Sequence, residues 1–80
     1  LQVGLHMTPA QCRAARALLG LEQGEVADAA KIAMATLIDF EKGQREPRLG
    51  TVKAIKSALE GLGIEFIPEN GGGAGVRLKN

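Results

Sequence analysis

Apolar positions recur at helical spacing along most of the chain and switch to strict alternation near its end. Thr8-Pro9-Ala10-Gln11 opens the first helix with a Thr cap, proline at the first helical position and Gln three residues after the cap, the parts of a capping box. Cys12, Ala15 and Leu19 follow at helical spacing, Arg13 and Arg16 fall toward the other side as a solvated face, and Gly20 ends the helix because it accepts left-handed geometry. A second helix is predicted from about Gln23 to Ala30, packing through Val26, Ala27 and Ala30, and a third from about Ala33 to Lys42, stopped by Gly43. On a wheel of ~100° per residue, Ala33 and Phe40 lie within about 60° of Leu37, so these three are expected to face the core while Met34, Ala35 and Ile38 point elsewhere.

After the polar stretch Gly43-Gln44-Arg45-Glu46-Pro47, a fourth helix is predicted from Leu49 to Thr51 onward, ending near Gly61. Val52, Ile55, Leu59 and Leu62 form its apolar stripe, with Lys53, Lys56 and Glu60 on the solvent side. From Ile64 the period is two: Ile64 and Phe66 on one face, Glu65 and Ile67 on the other, then a glycine-rich turn and Val76-Arg77-Leu78-Lys79, which reads as a hairpin. A lone hairpin is marginal in water, so it is expected to pack on the helices or to pair with another chain as a dimer contact. The pattern predicts an all-α class of four or five helices with a short C-terminal β-hairpin. Residues 1–7 are read as an N-terminal extension or remnant, 8–62 as the helical domain and 63–80 as the hairpin tail.

Composition narrows the chemistry. Eighty residues, 45% of them hydrophobic and only Phe40 and Phe66 aromatic, fit one domain with an aliphatic core. The net charge of +1 exerts no strong pull toward a polyanion, but it is unevenly placed. Residues 22–41 carry Glu22, Glu25, Asp28, Asp39 and Glu41 against Lys31, whereas 42–56 carry Lys42, Arg45, Arg48, Lys53 and Lys56 against Glu46. A lone Cys12 leaves no intramolecular disulfide, and with no apolar run near the ~20 residues of a membrane span a reduced, cytoplasmic protein is expected. Gly71-Gly72-Gly73-Ala74-Gly75 lacks the Gly-Lys-Ser/Thr ending and following helix of a phosphate loop. No catalytic pair, metal-ligand spacing or cofactor motif is present, so no enzyme activity, metal or cofactor is expected.

Two short helices joined by a tight turn match the arrangement that lets one helix enter a DNA major groove while its partner braces on the backbone. The run from Leu18-Leu19-Gly20-Leu21-Glu22-Gln23 through Val26-Ala27-Asp28-Ala29-Ala30 to Phe40-Glu41-Lys42-Gly43-Gln44-Arg45-Glu46-Pro47 resembles the Xre family of Cro and phage-repressor-like helix-turn-helix domains. The resemblance covers residues 8–62, and the tail from Ile64 to Leu78 resembles an ending of compact family members. It implies a repressor-like arrangement of helices and a transcriptional regulator that binds double-stranded DNA, with homodimerisation expected.

By that resemblance Gln23 contacts a phosphate and the first turns of helix three, Ala33, Met34, Ala35, Thr36, Ile38 and Asp39, face bases, with Thr36 on a phosphate or a base edge. Lys42, Gln44, Arg45 and Arg48 resemble the residues that clamp the DNA backbone, cations and amides on phosphate positioning the domain while base edges specify sequence. Three positions depart from the family pattern. Glu22 stands where Ser or Thr is usual, Gly24 where a helix former is usual at a cost of ~1 kcal/mol, and Lys31 where the turn has glycine. A left-handed Lys31 would cost ~1–2 kcal/mol, so a locally different turn is expected.

The third helix also lacks bidentate readers, since Ala33, Met34, Ala35 and Ile38 offer methyl groups only, which points to weak or shape-dominated specificity. Met34 and Ile38 have two other readings: core residues of a rotated helix, or a small apolar patch for a protein partner. The second supports an alternative function, a protein-interaction module on the same scaffold such as an antitoxin or antiactivator, which the acidic balance of residues 22–41 favours.

Overall fold

The computed structural model describes residues 7–43 and 46–79. Four helices, α1 (Pro9–Leu19), α2 (Gln23–Ala30), α3 (Met34–Lys42) and α4 (Leu49–Gly61), precede strands β1 (Ile64–Ile67) and β2 (Gly75–Leu78). The class is therefore mostly helical with a C-terminal hairpin, as the periodicity predicts, and four helices stand among the described residues.

The helix ends follow from local chemistry. The Thr8 hydroxyl accepts from the Gln11 amide at 3.0 Å while the Gln11 side chain accepts from the Thr8 amide at 2.9 Å, completing the capping box. At the other end Gly20 is left-handed, and the amides of Gly20 and Leu21 donate to the carbonyls of Ala17 and Arg16. The turn after α2 is built the same way around Lys31, at φ 60° and ψ 43°, with Lys31 and Ile32 donating to Asp28 and Ala27. The sequence-based expectation of a different turn is thus corrected: paired hydrogen bonds on both sides hold a lysine in the conformation a glycine would adopt freely.

The core draws on all four helices and β1: Cys12 and Ala15 from α1, Val26 and Ala27 from α2, Leu37 and Phe40 from α3, Val52, Ile55 and Leu59 from α4, and Ile64 from β1, with half-buried Val76 of β2 packed against it. Met7, grouped with the extension by sequence, is buried among them. Three further positions differ from the periodic reading. Ala33 is exposed, because it is the extended N-cap residue of α3 and lies outside the helical wheel. Leu62 is 44% exposed at the C-terminal end of the stripe, since the chain leaves helical geometry there. Lys56 is buried: its stem lies on the face of Val52 and Leu59, and its ammonium sits 5.5 Å from the centre of the Phe66 ring.

The strands are antiparallel, with Ile64 opposite Leu78 and Phe66 opposite Val76. They pack on the helices, β1 against α4 and β2 against α1. The Gln11 amide donates to the carbonyl of Gly75 at 2.9 Å and that of Ile67 at 3.4 Å, so the residue that caps α1 also closes the turn end of the ladder.

Candidate nucleic-acid interface

Helix α3 has two unlike sides. Leu37, Phe40 and Glu41 are buried, and Ala35, Asp39 and Lys42 are exposed at spacings of four and three, which places them on one outward stripe. Met34, 50% exposed, and half-buried Ile38 flank the stripe on one side, and half-buried Thr36 flanks it on the other. Met34 leans over α2, where its Sδ lies 3.8 Å from the position a Cβ on Gly24 would take. Met34 and Ile38 are thus not core residues of a rotated helix.

Beyond Thr36 a recess opens between α3 and the start of α4, lined by Thr36, Asp39, Glu46, Arg48 and Thr51. Arg48 is the extended residue that precedes α4, and with Lys42 at the end of α3 it brings positive charge to the rim of the outward stripe. Asp39 and Glu46 share that rim, so the face is mixed in charge. Gln44 and Arg45 lie outside the described residues.

Gln23 is placed otherwise than a free phosphate ligand would be. Its amide donates at 2.9 Å to Oε1 of Glu41, which is only 4% exposed. The same carboxylate accepts from Arg16 Nε at 2.7 Å and Nη2 at 2.8 Å and from the Cys12 thiol at 3.2 Å. Arg13 donates to the backbone carbonyl of Glu41, one of the last carbonyls of α3 that the helix itself leaves unpaired. Arg13 and Arg16, read from sequence as a solvated face, are therefore the anchors that fasten α1 to α3.

Burial alone would raise the Glu41 carboxyl, and hydrogen bonds from Arg16, then Gln23 and Cys12, outweigh it and hold the group below the ordinary carboxylate value. Arg16 is raised in turn, mainly by its hydrogen bond to Glu41. Burial pushes the Cys12 thiol far up, as do its hydrogen bond to Glu41 and that carboxylate's charge, so it is neutral and a poor nucleophile. This cluster is what the sequence reading missed, although a signal was present: Glu41 lies about 40° from Leu37 on the helical wheel, on the apolar side.

A short helix, a left-handed turn and a second helix with an exposed outward stripe define a helix-turn-helix. A helix-turn-helix family model matches residues 13–67, and the chain belongs to that family, in its Xre-type branch. This is a family of DNA-binding transcription regulators and not of enzymes. No curated protein matches the chain significantly. Among the described residues no helix is long and apolar enough to cross a membrane, and no group of three His, Cys, Asp or Glu is gathered to hold a metal ion.

Proposed function

We propose that the chain is a repressor-like regulator that lays α3 in the major groove and acts as a homodimer on a two-fold operator. The outward stripe of α3, which ends on Lys42 and is bordered by Arg48, carries this reading: a helix presents base-reading positions along one face while cations at its end and margin meet phosphates. Gln44 and Arg45, next along the chain, extend the backbone clamp. Gln23 contributes less directly, because its side chain is engaged by Glu41 and it presents the start of α2 to the backbone. Thr36 stands at the edge of the recess, within the groove-facing part of the helix. Ala33, Met34, Ala35, Ile38 and Asp39 complete the face toward the bases.

The test is binding of the gene's own upstream duplex and of random duplex at two salt concentrations, with an Arg45→Ala/Arg48→Ala variant alongside. Tighter binding of the upstream duplex is expected, with affinity falling steeply in salt. The slope of log affinity against log salt should be shallower by about 2 in the variant, roughly 1 per phosphate contact removed. Absence of binding to either duplex at low salt would overturn the reading. The half-exposed Met34 favours the second reading, a protein-binding face as in an antitoxin or antiactivator, and that face would then be sought by cross-linking from position 34.

A further inference from the structure

An acidic side chain at the centre of a surface that meets DNA needs an explanation. Asp39 is exposed on the outward stripe of α3, one turn after Ala35 and three residues before Lys42, and among the described residues it forms no ion pair within 4 Å. Its neighbour across the recess, Arg48, is likewise without an ion pair there. Glu41, two residues on, has every carboxylate oxygen engaged by donors of the protein itself. Among the described residues, donors are thus supplied to one carboxylate of α3 and none to the other, which is open to solvent or to a ligand.

The major groove offers two hydrogen-bond donors: N4–H2 of cytosine and N6–H2 of adenine. Along an A·T pair the adenine donor sits between two acceptors, N7 of adenine and O4 of thymine, so a carboxylate reaching it meets repulsion on both sides. Along a G·C pair the cytosine donor has an acceptor, O6 of guanine, on one side and a C5–H on the other. A carboxylate is accordingly best received by cytosine. Ala35 lies about 6 Å back along the helix axis, one or two base-pair steps away, and offers a methyl surface whose apolar counterpart in the groove is the C5-methyl of thymine.

We propose that Asp39 is a specificity-determining residue that accepts a hydrogen bond from a cytosine N4 amino group, with Ala35 against the methyl of a thymine one or two base pairs away. This rests on the major-groove reading above. It modifies the expectation of shape-dominated specificity drawn from the methyl-rich helix, because one polar reader stands in the middle of that helix.

Selection from a random duplex pool by the full-length chain tests it, with Asp39→Asn and Asp39→Ala variants selected in parallel and their folding checked by thermal melting. The wild type should enrich a motif with cytosine at one position of each half-site, and a mismatch there should weaken binding about 5- to 100-fold. Asp39→Asn should move that position toward adenine, which an amide contacts through both N6 and N7, and Asp39→Ala should leave it indifferent. Replacing the nearby thymine by deoxyuridine should weaken wild-type binding about 4-fold, the worth of one buried methyl-sized group, and should have no effect on an Ala35→Gly variant. If the wild type selects a motif that both Asp39 variants reproduce at every position, the inference is wrong while the DNA-binding reading stands. If the wild type selects no motif and binds no duplex, both fall.

Discussion

Asp39 and Glu41 stand two residues apart on α3, and the helix turns them to opposite sides of the molecule. On the inner side Glu41 gathers Arg16, Gln23 and Cys12 on its carboxylate and Arg13 on its carbonyl, so α1, α2 and α3 meet at one residue. On the outer side Ala35, Asp39 and Lys42 are exposed, and the turn that leads to them is held by a lysine in left-handed geometry. Buried polar groups are costly when any partner is missing, so the inner side tolerates little change. The outer side, where the side chains are exposed, should tolerate, or even gain from, substitution.

The largest effect should come from the inner side. Glu41→Gln removes the charge but keeps the shape, leaving Arg16 without its counter-ion, and should cost about 3 kcal/mol at pH 7 by urea unfolding. It should also alter the pH dependence. Because the folded Glu41 carboxyl lies below its ordinary value, the unfolded chain binds the proton more readily, and stability present above the unfolded value of about 4.5 is lost as pH falls through the folded value. The wild type should weaken as pH drops from about 5 downward, and the Gln variant should lose that part of the slope. A cost under about 0.5 kcal/mol with an unchanged pH profile would show that the inner cluster is not what fastens the three helices.

Substitutions toward the outer side should go the other way. Lys31→Gly relieves the left-handed backbone of a residue with a Cβ and, after the extra chain entropy of glycine is subtracted, should gain about 1 kcal/mol, several degrees in the melting midpoint. Gly24→Ala should gain about 0.5 kcal/mol, since the new methyl meets only the sulfur of Met34 at an ordinary 3.8 Å and removes chain freedom from the unfolded state. Destabilisation in both would mean that the outer side is as closely constrained as the inner one.

Much of the fold was legible because it rests on signals that act locally. The Thr8 and Gln11 capping box, the stops at Gly20 and Gly43, the stripe of Val52, Ile55 and Leu59 and the alternation from Ile64 each depend on a few neighbouring residues. The inner cluster depends on residues brought together from three helices, and there polarity misled. Charge alone points Arg13 and Arg16 to solvent, and likewise Lys56 on α4, although Lys56 is four residues from Val52 and three from Leu59, on their face of that helix. Long side chains bury their stems and carry the charge to a partner, a behaviour that periodicity alone does not separate from exposure. At the candidate interface the helical wheel turns Met34, Ala35 and Ile38 away from the core of α3, where the first two are exposed and Ile38 is half-buried, while Asp39 is placed outward only by the family resemblance. It gave no sign that Gln23 is held by Glu41, because that contact joins residues on different helices.

Gln11 has a consequence for how the molecule comes apart. Its side chain joins the first turn of α1 to backbone carbonyls of both strands, the farther one 64 residues along the chain. Closing so long a loop is entropically costly and is recovered only once α1 and the hairpin are both in place, so this junction is expected late in folding. Contacts made late act chiefly on the rate of opening. The hairpin thereby works as a latch on the helical body: loosening it should shorten the lifetime of the folded state, read from the unfolding arm of a denaturant chevron, and leave the rate of folding almost unchanged.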